Sequence, residues 1–499
     1  LLVECSHELN VLNKQPFNYE QYMKITSLTL SAAVLLAGLQ SCSNKSDGTD
    51  QDSTAQSEVS VWVTAPDQSK LLAKQEVVLN FIPNSQDEGT IIEIDDNQKY
   101  QPIDGFGYTL TGGSAELINA LPSPQKEQLI REIFSSEGNG IGSNYLRITV
   151  GASDLSSSLF TYNEVPEGET DLSLANFSLE AEAKDLIPVL KMIRAVNPDI
   201  KIMASPWTAP TWMKDNRSYI GGRLKPKYYE VYANYLVKYI QAMKSEGIPI
   251  DALTPQNEPL HPGNNPSMYM EAQEQANFIK KALGPKFREA GLQTKIVIYD
   301  HNADRPDYPI SILDDPEAKE YIDGSAFHLY GGKIEALSEV HEAHPDRNIY
   351  FTEQWVGGPQ KFDEELSWHI ENLIVGATRN WSRTVLEWNL AADQNYDPHT
   401  DQGGCDRCLG AITIHGNEIS RNVAYYIIGH ASKFVPAGSR RIASNLPEGL
   451  PNVAFITPKG EKVLIVLNKS GSAKDFFISH SGKMIQTSLA KGEVATFVW

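Results

Sequence analysis

Cysteine is scarce. Four residues in 499 exclude a disulfide scaffold and leave the fold to a hydrophobic core, which a chain of this length can bury. Positive charge is in deficit too. The 43 Lys and Arg against 63 Asp and Glu leave a formal charge of −20, a poor basis for holding nucleic acid or an anionic membrane by bulk attraction. The extended apolar run Ile25–Leu39 is shorter than the about 20 residues a spanning helix needs. No G-x-G-x-x-G opens a helix after a strand, which argues against an open, doubly wound nucleotide-binding sheet. What remains is ordinary for a soluble globular protein: 41% hydrophobic and 21% charged residues.

The N-terminal region reads as targeting rather than fold. Residues 1–22 carry no periodic pattern and are read as upstream sequence. Met23-Lys24, the apolar run and Leu39-Gln40-Ser41-Cys42 form a secretory signal of the bacterial lipoprotein kind, with Cys42 as the acylated first residue of the mature chain. Gln40 sits where a small residue is usual. The expectation is an exported protein, anchored in the periplasm or at the cell surface. Residues 43–57 are polar, lack aromatics and read as a tether.

Residues 58–99 and 426–499 are rich in short alternating strands and turn signals, such as Val59–Thr64, and Val453–Thr457 and Val463–Asn468 on either side of a Pro458-Lys459-Gly460 turn. They predict one β-sandwich assembled from both chain ends. Residues 100–425 alternate apolar runs with helical patterns. The runs are Ile103–Leu110, Tyr145–Val150, Ile200–Pro206, Ala252–Gln256, Lys295–Asp300, Gly324–Tyr330, Asn348–Trp355 and Thr384–Leu390. Helical patterns cover Leu179–Val196, Tyr228–Glu246, Ser267–Ala290 and Glu364–Asn380, and another starts at Ser123-Pro124, with Ser as N-cap. Eight strand–helix repeats predict a (β/α)8 barrel.

Barrels work at the C-terminal ends of their strands. Run four ends in Asn257-Glu258 and run seven in Thr352-Glu353. Two carboxylates facing each other across the mouth suit glycosidic bond cleavage, one as acid/base and one as nucleophile. A Glu at a strand end is more often a surface or salt-bridged residue, so the pairing carries the argument. Asn257 is placed to bond a sugar 2-hydroxyl. Trp207, Trp355 and Trp388 offer flat faces to sugar C–H groups, although any one of them alone reads as core. Tyr330 and Arg147 are placed to hold Glu353 ionised. His328 reads equally well as a satisfied structural histidine. Asp154 and Asn389 complete the candidate contacts. Asp393, Asp397 and Asp401 lack calcium-loop spacing and read as loop residues. No metal or organic cofactor is implied, because carboxylate chemistry needs none, and a monomer is expected.

These motifs resemble the glucosylceramidase family, glycoside hydrolase family 30, from about residue 58 to 499. The resemblance rests on Asp104-Gly105-Phe106-Gly107, Ser205–Lys214 (SPWTAPTWMK), Thr254–Pro259 (TPQNEP), Phe327–Tyr330, Thr352-Glu353 and Trp388–Leu390. It implies retention of configuration, Glu258 as acid/base, Glu353 as nucleophile, and sugar contacts from Trp207, Asn257, Tyr330 and Trp388. One departure stands out. Gly112 occupies the place where glucosylceramidases carry the Asp of a Thr-Asp pair that holds outer glucose hydroxyls, so another group is expected to recognise the sugar. This feature and the loop Gly403–Gly410 resemble the β-1,6-glucanase branch, which sets β-1,6-glucan as the expected substrate. Alternatives are glucosylceramide, an aryl glucoside or a xyloside, or a surface glycan-binding lipoprotein without catalysis. In an exported protein Cys405 and Cys408 are the candidate disulfide.

Overall fold

The computed structural model describes residues 57–84 and 89–499, so the signal, Cys42 and most of the tether lie outside the described residues. Eight parallel strands close into a barrel: β1 (Gly105–Leu110), β2 (Tyr145–Thr149), β3 (Lys201–Ser205), β4 (Ala252–Leu253), β5 (Lys295–Ala303), β6 (Ile322–Gly332), β7 (Asn348–Glu353) and β8 (Ser382–Asn389). Each of the eight apolar runs supplies one strand. The sequence requirement for closure is visible at Gly107, where a Cβ would meet the Tyr145 carbonyl oxygen at 1.9 Å. Only glycine lets β1 approach β2 this closely.

Helices pack between the strands, with corrections to their predicted limits: the pattern over 179–196 forms an α-helix only over Leu186–Val196, after a 3-10 turn at Glu180–Glu182. The helix after β4 begins at Ala272, not at Ser267, behind a capping box formed by Glu271 and Glu274. The N-cap of Ser123–Phe134 is Pro122, one residue earlier than expected. The patterns over 267–290 and 364–380 each include a π-helical stretch, Ile279–Leu283 and Ile370–Ala377. Among the described residues no helix is long and apolar enough to cross a membrane.

Strands Ser60–Thr64 and Ile91–Pro102 join Arg440–Ser444, Asn452–Ile456, Lys462–Leu467, Lys474–His480, Lys483–Leu489 and Val494–Val498 in the second sheet. Both chain ends therefore build it: Ser60–Thr64 pairs antiparallel with Val494–Val498, and Ile91–Pro102 pairs with Arg440–Ser444. Its own core includes Val61, Ile92, Leu464, Phe476 and Phe497, with Phe476 edge-on to Phe497 at 6.3 Å.

The barrel interior is layered by the two-residue period of a strand. One apolar layer takes a residue from each of seven strands: Tyr145, Met203, Ala252, Val297, Ala326, Tyr350 and Leu386. Two residues further toward the C-terminal rim the same strands present Arg147, Ser205, Thr254, His328, Thr352 and Trp388, which forms a polar layer. β5 breaks the period. Tyr299 and Asp300 both have left-handed backbone, φ 74° and 61°, and the register against β6 shifts there. This bulge re-aims the strand, so Asp300 rather than Tyr299 enters the polar layer.

Candidate active site

Asp300 is the hub of that layer. It is fully buried and accepts five hydrogen bonds. Arg147 Nη2 (2.9 Å), Ser205 Oγ (2.9 Å) and Thr254 Oγ1 (2.8 Å) donate to Oδ2, while His328 Nε2 (3.2 Å) and Thr352 Oγ1 (2.7 Å) reach Oδ1. Burial disfavours its charge, but Arg147 and the bond from His328 outweigh that, and the carboxyl is held far below the usual range. Sequence reasoning passed over Asp300. The available signal was a charged residue closing the apolar run of β5.

Arg147 links the hub to both predicted carboxylate neighbourhoods. Nη1 donates to Glu353 Oε2 at 2.5 Å and Nη2 to Asn257 Oδ1 at 2.6 Å. Its guanidinium lies over Trp207 at 4.8 Å and over Trp388 at 5.8 Å, contacts worth about 0.5–2 kcal/mol each. Tyr330 donates its hydroxyl to Glu353 Oε1 at 3.0 Å. Glu353 thus has a donor on each oxygen.

Glu258 follows β4 with a left-handed φ of 44°, a conformation that costs a non-glycine residue about 1–3 kcal/mol and collects at functional sites. Neighbouring strands hold it there: Asn257 N–H bonds the Pro206 carbonyl at 2.8 Å, and Glu258 N–H bonds the Asp300 carbonyl at 3.0 Å. Glu258 Oε1 lies 3.1 Å from His328 Nδ1 and 3.6 Å from His301 Nδ1. His328 Nδ1 is also 3.8 Å from Glu353 Oε1. The two carboxylate oxygens can therefore be no further apart than about 7 Å, at the lower edge of the inverting range of about 6.5–9.5 Å and compatible with the retaining one.

The electrostatics follow from burial. His328 pays for desolvation, yet Glu353 and the bonds to Asp300 and Glu258 raise it to about 9, so it is an imidazolium at neutral pH. Burial raises Glu353 against the pull of His328 and Arg147. Glu258 is lowered, because the bond from His328 and the facing imidazole of His301 outweigh its burial. Asp154, desolvated and facing Glu353, rises to about 8 and is a neutral acid at pH 7.

A cavity of about 310 Å³ opens above these groups. Of the predicted residues it is lined by Glu258, Glu353, Asp154, Tyr330, Trp355, Trp388, Cys405 and Cys408. Of the other predicted contacts, Asn257 is 3% exposed with its Oδ1 held by Arg147, and the rest lie behind this wall. Arg147 and His328 are fully buried and support the carboxylates from below, rather than contacting a ligand directly. Trp207, 1% exposed, stacks on Trp388 at 5.4 Å. Asn389 reaches the Ala391 and Cys408 carbonyls from a buried position. His261, Asn264, His301 and Asn302 line the cavity without having been predicted. Position 112 does not line it. It opens the helix Gly112–Ala120, and a Cβ there would meet Ser156 Oγ at 3.2 Å. The missing Asp therefore does not leave a gap in the cavity wall, where Asp154 supplies a carboxyl group. Cys405 and Cys408 are joined by a disulfide and pack with Trp207, Trp355 and Trp388. Two larger clefts, about 960 and 820 Å³, flank Trp62 and Lys433. Their charges are spent locally, Arg421 on Glu132 at 2.6 Å and Lys433 on loop carbonyls.

The arrangement, two carboxylates across a small cavity with aromatic walls, is that of a glycosidase. Comparison with known proteins agrees. Residues 103–435 match the glycosyl hydrolase family 30 TIM-barrel domain, and residues 438–497 match the beta sandwich domain of the same family. An endo-1,6-beta-D-glucanase of Neurospora crassa is 33% identical over 430 residues, 82% of this chain and 88% of that one. The lysosomal acid glucosylceramidase of Mus musculus is 30% identical over 448 residues, 83% and 84% of the two chains. A solved endo-beta1,6-glucanase superposes with a TM-score of 0.83 at 35% identity, covering 89% of this chain and 99% of that one. With its barrel, its sandwich and both glutamates in place, the chain belongs to glycosyl hydrolase family 30.

Proposed function

We propose that the protein is a retaining endo-β-1,6-glucanase. The observation that carries this reading is the placement of Glu258 and Glu353 within about 7 Å of each other around one imidazole, in a chain similar along most of its length to endo-1,6-beta-D-glucanases of Neurospora crassa, Trichoderma harzianum and Aspergillus fumigatus. Glu353, with donors on both oxygens, attacks the anomeric carbon. Glu258 delivers to the leaving oxygen a proton that it takes from the His328 imidazolium, whose Nδ1 lies 3.1 Å away. Water activated by Glu258 then releases the sugar. Asn257, its Oδ1 fixed by Arg147, presents Nδ2 to the sugar 2-hydroxyl. Trp355 and Trp388 stack on the sugar, and neutral Asp154 both donates to and accepts from its hydroxyls.

The test is product analysis on β-1,6-glucan, β-1,3-glucan, xylan, glucosylceramide and a nitrophenyl β-glucoside. An oligosaccharide ladder from β-1,6-glucan alone is expected. Glucose released from glucosylceramide, with the polymers untouched, would move the reading to a glucosylceramidase. Glu353→Ala should be inactive and should form a glycosyl azide of inverted configuration when azide is added.

The protein acts as an exported, lipid-anchored monomer. The signal ending at Cys42 and the Cys405–Cys408 disulfide support export. Loss of labelled acyl incorporation in Cys42→Ser, and a monomer mass by light scattering, are the expected results.

A further inference from the structure

The reaction proposed above needs no metal, yet the residues around its acid/base form a ligand set of another kind. Glu258, His301 and His328 each present one ligand atom, and the three atoms lie within 4.8 Å of one another. The individual separations from Glu258 Oε1 are 3.1 Å to His328 Nδ1 and 3.6 Å to His301 Nδ1. A tetrahedral Zn2+ at about 2.0–2.1 Å from each ligand would place the ligand atoms about 3.3 Å apart. Two of the three separations are already close to that, and a short approach of one ring to the other completes the set. The rings stand nearly perpendicular, at 89°, so both nitrogens can point at a common centre.

Two further observations point to a ligand. His301 is 7% exposed, and its Nδ1 has no hydrogen-bond partner. At 3.6 Å from Glu258 it is close but not bonded. A buried nitrogen without a partner is costly unless something binds it. His328 is already oriented as a metal ligand, because Nε2 is held by the Asp300 carboxylate and Nδ1 faces the cluster. This carboxylate–histidine pairing is the outer-shell arrangement that fixes tautomer and basicity in zinc sites. The fourth position faces the cavity, which Glu258 and His301 both line.

We infer that Glu258, His301 and His328 form a three-ligand site for a borderline divalent cation, Zn2+ or Cu2+, and that its occupancy blocks the acid/base carboxylate. Two imidazoles and one carboxylate suit these ions and not Mg2+ or Ca2+, which prefer oxygen donors. Binding releases the proton held between Glu258 and His328. The metal is thus a reversible inhibitor that competes with substrate for Glu258. The blocking half rests on the role of Glu258 proposed above; the binding half does not.

The test is Zn2+ titration by calorimetry into the chelator-treated full chain and into His301→Gln, with β-1,6-glucan turnover measured over the same Zn2+ range. One Zn2+ per chain is expected, with affinity falling more than about tenfold in the variant and the inhibition constant shifting by the same factor. Equal binding by both proteins, or no stoichiometric Zn2+ in the wild type, would overturn the site. Co2+ gives a check that needs no variant. A tetrahedral visible spectrum is expected from the wild type, quenched by Zn2+, and its absence also overturns the site. Stoichiometric binding without inhibition would leave the site standing and count against Glu258 as the acid/base.

Discussion

Asp300 offers the sharpest test of how this site is held. In Asp300→Ala all five donors lose their acceptor, and Arg147 keeps only Glu353 as a charged partner. Removing one member of a buried ion pair costs about 3–5 kcal/mol. With about 2.1 cal/mol/K of unfolding entropy per residue over roughly 440 ordered residues, each kcal/mol moves Tm by about 1 °C, so a drop of about 3–5 °C is expected. Asp300→Asn is more discriminating. Its amide nitrogen cannot face Arg147, which only donates, but it can face His328 Nε2 and Thr352 Oγ1 if the imidazolium gives up its Nε2 proton and keeps the one on Nδ1. The variant should lose only about 1–3 kcal/mol, while His328 falls from its raised value of about 9. Calorimetric melts and pH profiles of kcat/KM on β-1,6-glucan read both effects. Melting of Asp300→Ala within 1 °C of wild type, or an unchanged alkaline limb in Asp300→Asn, would refute the hub. His328 is raised above its unfolded value, so its contribution to stability is complete below pH about 6.5 and is lost as pH rises through about 9.

Three further outcomes follow from single contacts. Tyr330→Phe removes the donor 3.0 Å from Glu353 Oε1. A bond to a charged group is worth about 1.5–3 kcal/mol, so kcat/KM should fall about 10- to 100-fold, and a change under twofold would sink the assignment. His369, raised to about 9 after burial is outweighed by Glu387 and Glu365, should lower Tm across pH 6.5–9, and His369→Gln should flatten that part of the pH–Tm curve. Cys405→Ser opens a closed loop of about four residues, worth about 2 kcal/mol in chain entropy. Because that loop lines the cavity, KM for glucan should rise several-fold with kcat within about twofold. A collapse of kcat at constant KM would show that the loop acts on the chemistry instead.

Chain order and local pattern determined the architecture. Eight apolar runs of strand length, separated by helical patterns, bury both faces in a parallel sheet covered by helices, and the count of eight fits a closed barrel. The alternation at both chain ends predicts the second sheet. Glu258 and Glu353 were legible for the same reason: each ends a run, and run ends share one rim. The family motifs sharpened this, although two of them proved structural. Gly107 allows close strand packing, and Lys214 of the SPWTAPTWMK stretch is buried on the Thr208 hydroxyl and the Ser218 and Ser267 carbonyls.

Tertiary structure decided the depth of each side chain and the register of one strand. Trp207 and Arg147 look like cleft residues from their types and positions, but barrel closure stacks other side chains over them. Strict two-residue alternation would carry Tyr299 into the polar layer. The bulge at Tyr299–Asp300 substitutes Asp300 and, with it, brings His301 to Glu258. Neither residue is a glycine, so no local preference announces the left-handed backbone. Only the hydrogen bonds from five other strands, made once the barrel has closed, offset its cost.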